Sequence, residues 1–266
     1  MTTKKITKVG GGDGDAPQKP TFVPTAEAKG KATQLRIISI VLWVLAIAAE
    51  IGAILVLSKS AKPITTSVWV WMIAFIVIDL ILVVIGSLIW KKANRLDPAS
   101  RKDTIRFFIQ NQLGVIIAVI AFLPLVLLIF TNKDLEGKQK GILGGIAILA
   151  LVIAGLLSAD FNPPSKEEYA QQTFRIEELT GANSVYWTKS GTKYHIYQDC
   201  SAINTDRTDE IFEGTVAKAR ELKNITELCK FCENKAEKTK ELKAKELKAK
   251  ELTDNLSTKK KAKKNK

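Results

Sequence analysis

The chain has 266 residues, with 40 Lys+Arg against 27 Asp+Glu, one His and three Cys. At about 150 residues per unit, that length implies two structural units. Apolar content of 46% is ordinary, but the apolar residues concentrate between Ile37 and Leu157 and the charges lie almost entirely outside the spans there, which excludes a soluble single-domain enzyme and, with so little cysteine, a disulfide-stapled secreted module.

Residues 1–34 are polar (GGGDGD, then APQKP) and read as a disordered N-terminal segment. The apolar run that follows is too long for the core of a cleavable signal and reads as a retained anchor. A transmembrane domain is expected over 35–160. A bilayer crossing needs about 20 apolar residues at 1.5 Å each, and four runs qualify: 37–57, 68–90, 113–130 and 141–157. Pro124 in the third run is tolerated as a kink. The fourth is the shortest and richest in glycine.

Lys and Arg alternate between rich and poor segments: seven in residues 1–36, two in the first loop, six in the second, three in the third, and 22 after Leu157. The positive-inside rule then places both termini in the cytoplasm of a multi-pass protein of the cell (inner) membrane. Trp69 and Trp71 are expected at the outer interface, and Trp90 with Lys91 and Lys92 at the inner one. Thr104–Gln112 (TIRFFIQNQ) reads either as an amphipathic segment in the inner interface or as a helical extension of the third span.

Two spans carry an acid, and no span carries a base to pair with it. Glu50 lies about 10 Å from the outer end of its run and Asp79 about 16 Å from the outer end of its own. They read either as a proton or cation relay or as hydrogen bonds that fix helix packing. In the fourth span, Gly141, Gly144 and Gly145, followed by Ala150 and Ala154, allow close helix approach, within one chain or between two.

Asn162-Pro163-Pro164 ends the membrane part, and a small domain is expected over 161–234. Ser165 and Glu168 form a capping-box pattern for a helix that runs to about Thr180 and stops at Gly181. Val185–Thr188 and Lys193–Tyr197 flank Ser190-Gly191 as a hairpin, and Thr215 is placed to cap a helix over 216–222. The lone His and every Cys fall in this domain, as His195-x4-Cys200, a 28-residue connection, and Cys229-x2-Cys232. Two short-spaced ligand pairs joined by a long connection predict a tetrahedral zinc site. A redox pair would want a βαβ context, a disulfide would strand one thiol, and a catalytic zinc normally leaves a position open.

The stretch from Val185 to Cys232 (VYWTKSGTKYHIYQDC…CKFC) resembles a small bacterial module with an aromatic hairpin, H-x4-C, a helix and C-x2-C, often appended to nucleases and to surface or membrane proteins. Its ligand layout is similar to the zinc domain of the bacterial methyl-phosphotriester DNA-repair regulator, whose four cysteines differ from the His195 pattern here. The longer stretch Lys31–Glu233, with NRLDPASRKD, TNKDLEGKQKG, SADFNPPS and NTDRTDEIFEGTVAKAREL, resembles a family of bacterial multi-span membrane proteins. That resemblance implies architecture and carries no activity.

Residues 163–234 hold nine Lys+Arg and twelve Asp+Glu, so phosphate binding, which needs a basic surface, is not expected of the domain as a whole. A protein partner is. Residues 235–266 form a Lys-rich low-complexity tail with 13 Lys and five acids, disordered or helical, and suited to anionic lipid. Leu242, Leu247 and Leu252 recur every five residues, which makes no coiled-coil stripe. The fold expected is mainly α: a four-helix transmembrane bundle, a small α+β zinc-binding domain and the tail. The leading functional expectation is a non-enzymatic membrane protein that presents a structural zinc domain to the cytosol. The alternatives are a small ion- or proton-coupled transporter or channel subunit using Glu50 and Asp79, and a membrane-tethered metal or redox sensor.

Overall fold

The computed structural model describes residues 5–9, 22–59, 66–223 and 225–264. They divide into two compact units: residues 23–167, and residues 168–266 together with the N-terminal segment up to Phe22.

The first unit contains α1 (Ala26–Lys59), α2 (Thr66–Leu96), α3 (Thr104–Thr131) and α4 (Gly137–Ser158). All four are long and apolar enough to cross a membrane. Only about a third of each apolar window is buried within the chain. The rest of the surface is still hydrocarbon: Ile37, Val44, Ile51, Leu55, Ile81 and Leu149 all point outward. A protein in water would hide such residues, so the outward face is built for lipid. The interior is small-residue packing, with Ala46, Ala53, Ala118, Ala121, Ala147 and Ala154 letting helix backbones approach around Met72, Ile76, Phe122 and Ile129.

Short polar connections join α2 to α3 and α3 to α4. Asp103 caps α3 by accepting the Arg106 N–H at 3.1 Å, and Gln139 Oε1 accepts the Glu136 N–H at 3.0 Å at the start of α4. Lys91 Nζ donates to the free carbonyls of Leu157 (2.8 Å) and Ala159 (2.6 Å) at the end of α4, a favourable place for a cation. Arg36 of α1 grips Asp97 through its carboxylate and its carbonyl, each at 2.9 Å.

Two expectations need correction, and one open choice is decided. Residues 1–34 are not all without structure: Lys5–Val9 forms a strand and α1 already begins at Ala26, eleven residues before the apolar run. Glu27, Lys29 and Lys31 are exposed there, so polar side chains extend a helix that hydropathy alone starts too late. Residues 1–4 and 10–21 lie outside the described residues. Trp90 is buried against the Trp43 ring (centroids 5.2 Å apart) and its indole N–H donates to the Gln110 carbonyl at 2.7 Å. It packs helices together and is no interface anchor, whereas Trp71 does face outward. Of the two readings of Thr104–Gln112, the helical extension holds: the segment is the start of α3, continuous with the span.

One glycine of the fourth span is used for close packing within the chain. At Gly144 the Phe130 ring of α3 occupies the space a side chain would need, while Gly141 and Gly145 face open space.

The second unit is α+β. Helix α5 (Lys166–Thr180) starts directly after Ser165 and stops at Gly181, whose φ of 78° suits glycine. Strand β1 (Lys5–Val9) pairs parallel with β4 (Glu210–Gly214), and β2 (Val185–Thr188) pairs antiparallel with the other edge of β4. Strand β3 (Lys193–Tyr194) pairs parallel with β5 (Glu227–Leu228). Thr215 caps α6 (Val216–Lys223), its Oγ1 accepting the Lys218 N–H at 3.2 Å. The last helix, α7 (Lys230–Lys264), takes in the Lys-rich tail as one rod of strong helix formers. Leu242, Leu247 and Leu252 are exposed along it. The core gathers Ile176, Val185, Trp187, Tyr194, Ile211, Val216 and Ile225 around the cysteines.

Candidate metal centre

The hairpin supplies the first ligand. Backbone N–H groups of Tyr186 and His195 each donate to the other's carbonyl at 2.7 Å, so β2 holds His195 at the end of β3 with its ring turned into the core (4% exposed). Cys200 follows in a tight turn, its N–H donating to the Tyr197 carbonyl at 3.2 Å and its own carbonyl accepting the Ile203 and Asn204 N–H groups. Only a closed turn of this kind returns a residue five positions later to the same point in space.

The second pair arrives from the far end of the domain. The parallel match of Tyr194 with Leu228 leaves the Cys229 N–H donating to the Tyr194 carbonyl at 2.9 Å. Cys229 then starts α7, accepting the Glu233 N–H at 3.0 Å, which puts Cys232 in the first helical turn. Thiolates are stabilised at such a helix start.

The four side chains are buried and their ligand atoms all lie within 4.8 Å of one another. Cys200 Sγ and Cys229 Sγ are 4.0 Å apart, and Cys232 Sγ is 3.7 Å from His195 Nδ1. A tetrahedral zinc with bonds of about 2.3 Å to sulfur and 2.0 Å to nitrogen sets ligand edges of roughly 3.5–3.8 Å. The arrangement therefore fits one tetrahedral ion. The thiols are free.

The surroundings also suit a metal. The backbone N–H groups of Tyr197 and Ile196 point at the Cys232 sulfur, the kind of outer contact that orients a ligand and spreads its charge. Burial, with the Cys200 thiol beside it, pushes the Cys232 thiol up to about 12 despite those N–H groups. Burial also holds the His195 imidazole below its usual value. The ring is thus neutral near pH 7 and offers a nitrogen lone pair. A cation at this point would supply the charge that the Cys232 thiol needs in order to ionise near neutral pH.

Every residue singled out by ligand spacing lies in this cluster. Glu50 and Asp79 belong to the other unit, where both are buried among the helices. Spacing did not point to the Ile196 and Tyr197 amides, since backbone groups carry no sequence signal. It also missed Arg220, which is buried with its guanidinium 3.6 Å from the centre of the Tyr169 ring and bonded to Gln172 Oε1 at 3.0 Å.

No family model matches the chain, and neither the curated proteins nor the solved structures contain a match. The functional reading therefore rests on the geometry.

Proposed function

We propose that the chain is a non-enzymatic, multi-pass protein of a bacterial cell membrane, with both termini in the cytoplasm, whose zinc-held domain docks a protein partner there. The buried His195/Cys200/Cys229/Cys232 cluster carries this reading. Four protein ligands fill a tetrahedral shell and leave no open position for substrate, which is the pattern of a structural ion. Zinc is the metal that three thiolates and an imidazole favour.

The partner would be a protein. The domain's acids outnumber its bases, and a groove of about 580 Å³ runs between the end of α5, the hairpin and α7, with Tyr186, Tyr197 and Leu179 in its wall and Lys240 and Lys243 along one side. Tail lysines add attraction to anionic lipid of about 1 kcal/mol per charge near the surface.

The deciding experiment is elemental analysis of the full-length protein purified from membranes. Stoichiometric zinc is expected in the native chain and is expected to be lost in Cys232→Ser. A protein free of stoichiometric metal, or a topology reporter after Lys266 active only outside the cytoplasm, would overturn the proposal.

A further inference from the structure

Glu50 of α1 and Asp79 of α2 are 4% and 2% exposed, both buried within the helical unit. Glu50 Oε1 accepts the backbone N–H of Leu125 at 3.3 Å. That amide directly follows Pro124 in α3, which has no N–H of its own. Asp79 is close enough for Glu50 to act on it electrostatically, and its Oδ1 is buried with no hydrogen-bond partner. A buried carboxylate oxygen without a donor is costly in apolar surroundings.

The facing helices supply nothing to compensate it. Between Arg36 and Lys59 the only ionisable residue of α1 is Glu50, and between Thr66 and Lys91 the only one of α2 is Asp79. Helix α3 has none after Arg106, and α4 has none after Lys140. Two negative charges at this depth would have no counter-charge. A metal cation is a poor answer, because calcium and magnesium require six or more oxygens. Here two carboxyls stand among hydrocarbon and one of their oxygens is already engaged. A proton needs only two oxygens.

We propose that Glu50 and Asp79 form an exchangeable proton-binding site inside the helical unit, with the Leu125 amide beside Pro124 as its third member. The proton is the donor that the Asp79 oxygen lacks. Its arrival and departure alter the charge that Glu50 offers to the Leu125 N–H, which ties occupancy to the contact between α1 and α3. The site is independent of the metal centre.

A hydrophobic carbodiimide tests this on the full-length protein in liposomes, since it modifies carboxyls that are protonated in apolar surroundings. Modified residues are mapped by peptide mass spectrometry between pH 5 and 9. Labelling at Asp79 or Glu50 is expected, falling about tenfold per pH unit above its midpoint as for a single proton, and unchanged by sodium or potassium. Asp79→Asn is expected to abolish labelling at that position. Absence of labelling across the range, or labelling that ignores pH, would overturn the proposal. Protection by sodium at fixed pH would overturn it in favour of an alkali cation. Because mapping is done on the native chain, the result does not depend on the variant folding.

Discussion

At Gly114, α2, α3 and α4 meet so closely that an added Cβ would lie 2.7 Å from Ser87 Oγ, 2.9 Å from Ser87 Cβ and 3.2 Å from Ser158 Cβ. Ser158 Oγ–H also donates to Ser87 Oγ at 2.9 Å, and Ser87 Oγ–H to the Val83 carbonyl at 2.8 Å, so neither serine can turn away without losing a buried bond. Gly114→Val is therefore expected to destabilise the helical unit by about 1–3 kcal/mol through overpacking. Gly145 has nothing within 4 Å, so Gly145→Ala should be neutral or gain up to about 1 kcal/mol from helix propensity. Thermal unfolding in detergent, read side by side for the two variants, checks both. Two glycines of similar sequence context thus differ only in what faces them.

Among the elements, the start of α5 shows how a turn is pinned by charge. Glu167 accepts the Ser100 hydroxyl and, at 2.9 Å, the Arg101 N–H. Some desolvation opposes ionisation, but these bonds and the nearby Lys102 hold its carboxyl below the usual value. A group depressed on folding adds stability above its unfolded value of about 4.3, and that stability is lost as pH falls through the folded value. Glu167→Gln is expected to lower the melting temperature at pH 7, with the gap to the native chain closing as the pH falls below about 4. A gap that stays constant across that range would mean that the carboxylate charge contributes nothing. Both ends of α5 fall where the sequence puts them, its start directly after Ser165 and its stop at Gly181, where a positive φ is local backbone chemistry. The strand at Lys5–Val9 is not, since its partner lies about 200 positions away at β4 and no local pattern encodes such a pairing.

For the whole molecule, the two units rely on different forces. Apolar outward faces belong in lipid, whereas the smaller unit closes its core around a cluster of ligands. Metal binding in such a domain is itself folding free energy. A strong chelator applied to the full-length protein in liposomes is accordingly expected to expose residues 185–232 to protease while α1–α4 stay protected. Restored protection on adding back zinc would show that the ion supplies the difference. Equal protection with and without chelator would mean that the hydrophobic core of Trp187, Tyr194 and Ile211 suffices.

Hydropathy and ligand type are properties of single residues and their near neighbours, and for that reason the four spans, the lone imidazole with three thiols, the stop of α5 at Gly181 and the cap of α6 could be read from the chain alone, whereas the expected hairpin is reduced to one bridge, Tyr186 with His195, between strands of two different sheets. Contacts between distant segments follow from how helices and strands close on one another, which no local pattern carries. Only the tertiary structure brought Cys229 beside Tyr194, drew four ligand atoms within 4.8 Å, turned Trp90 inward onto Trp43, and set the Leu125 amide against Glu50.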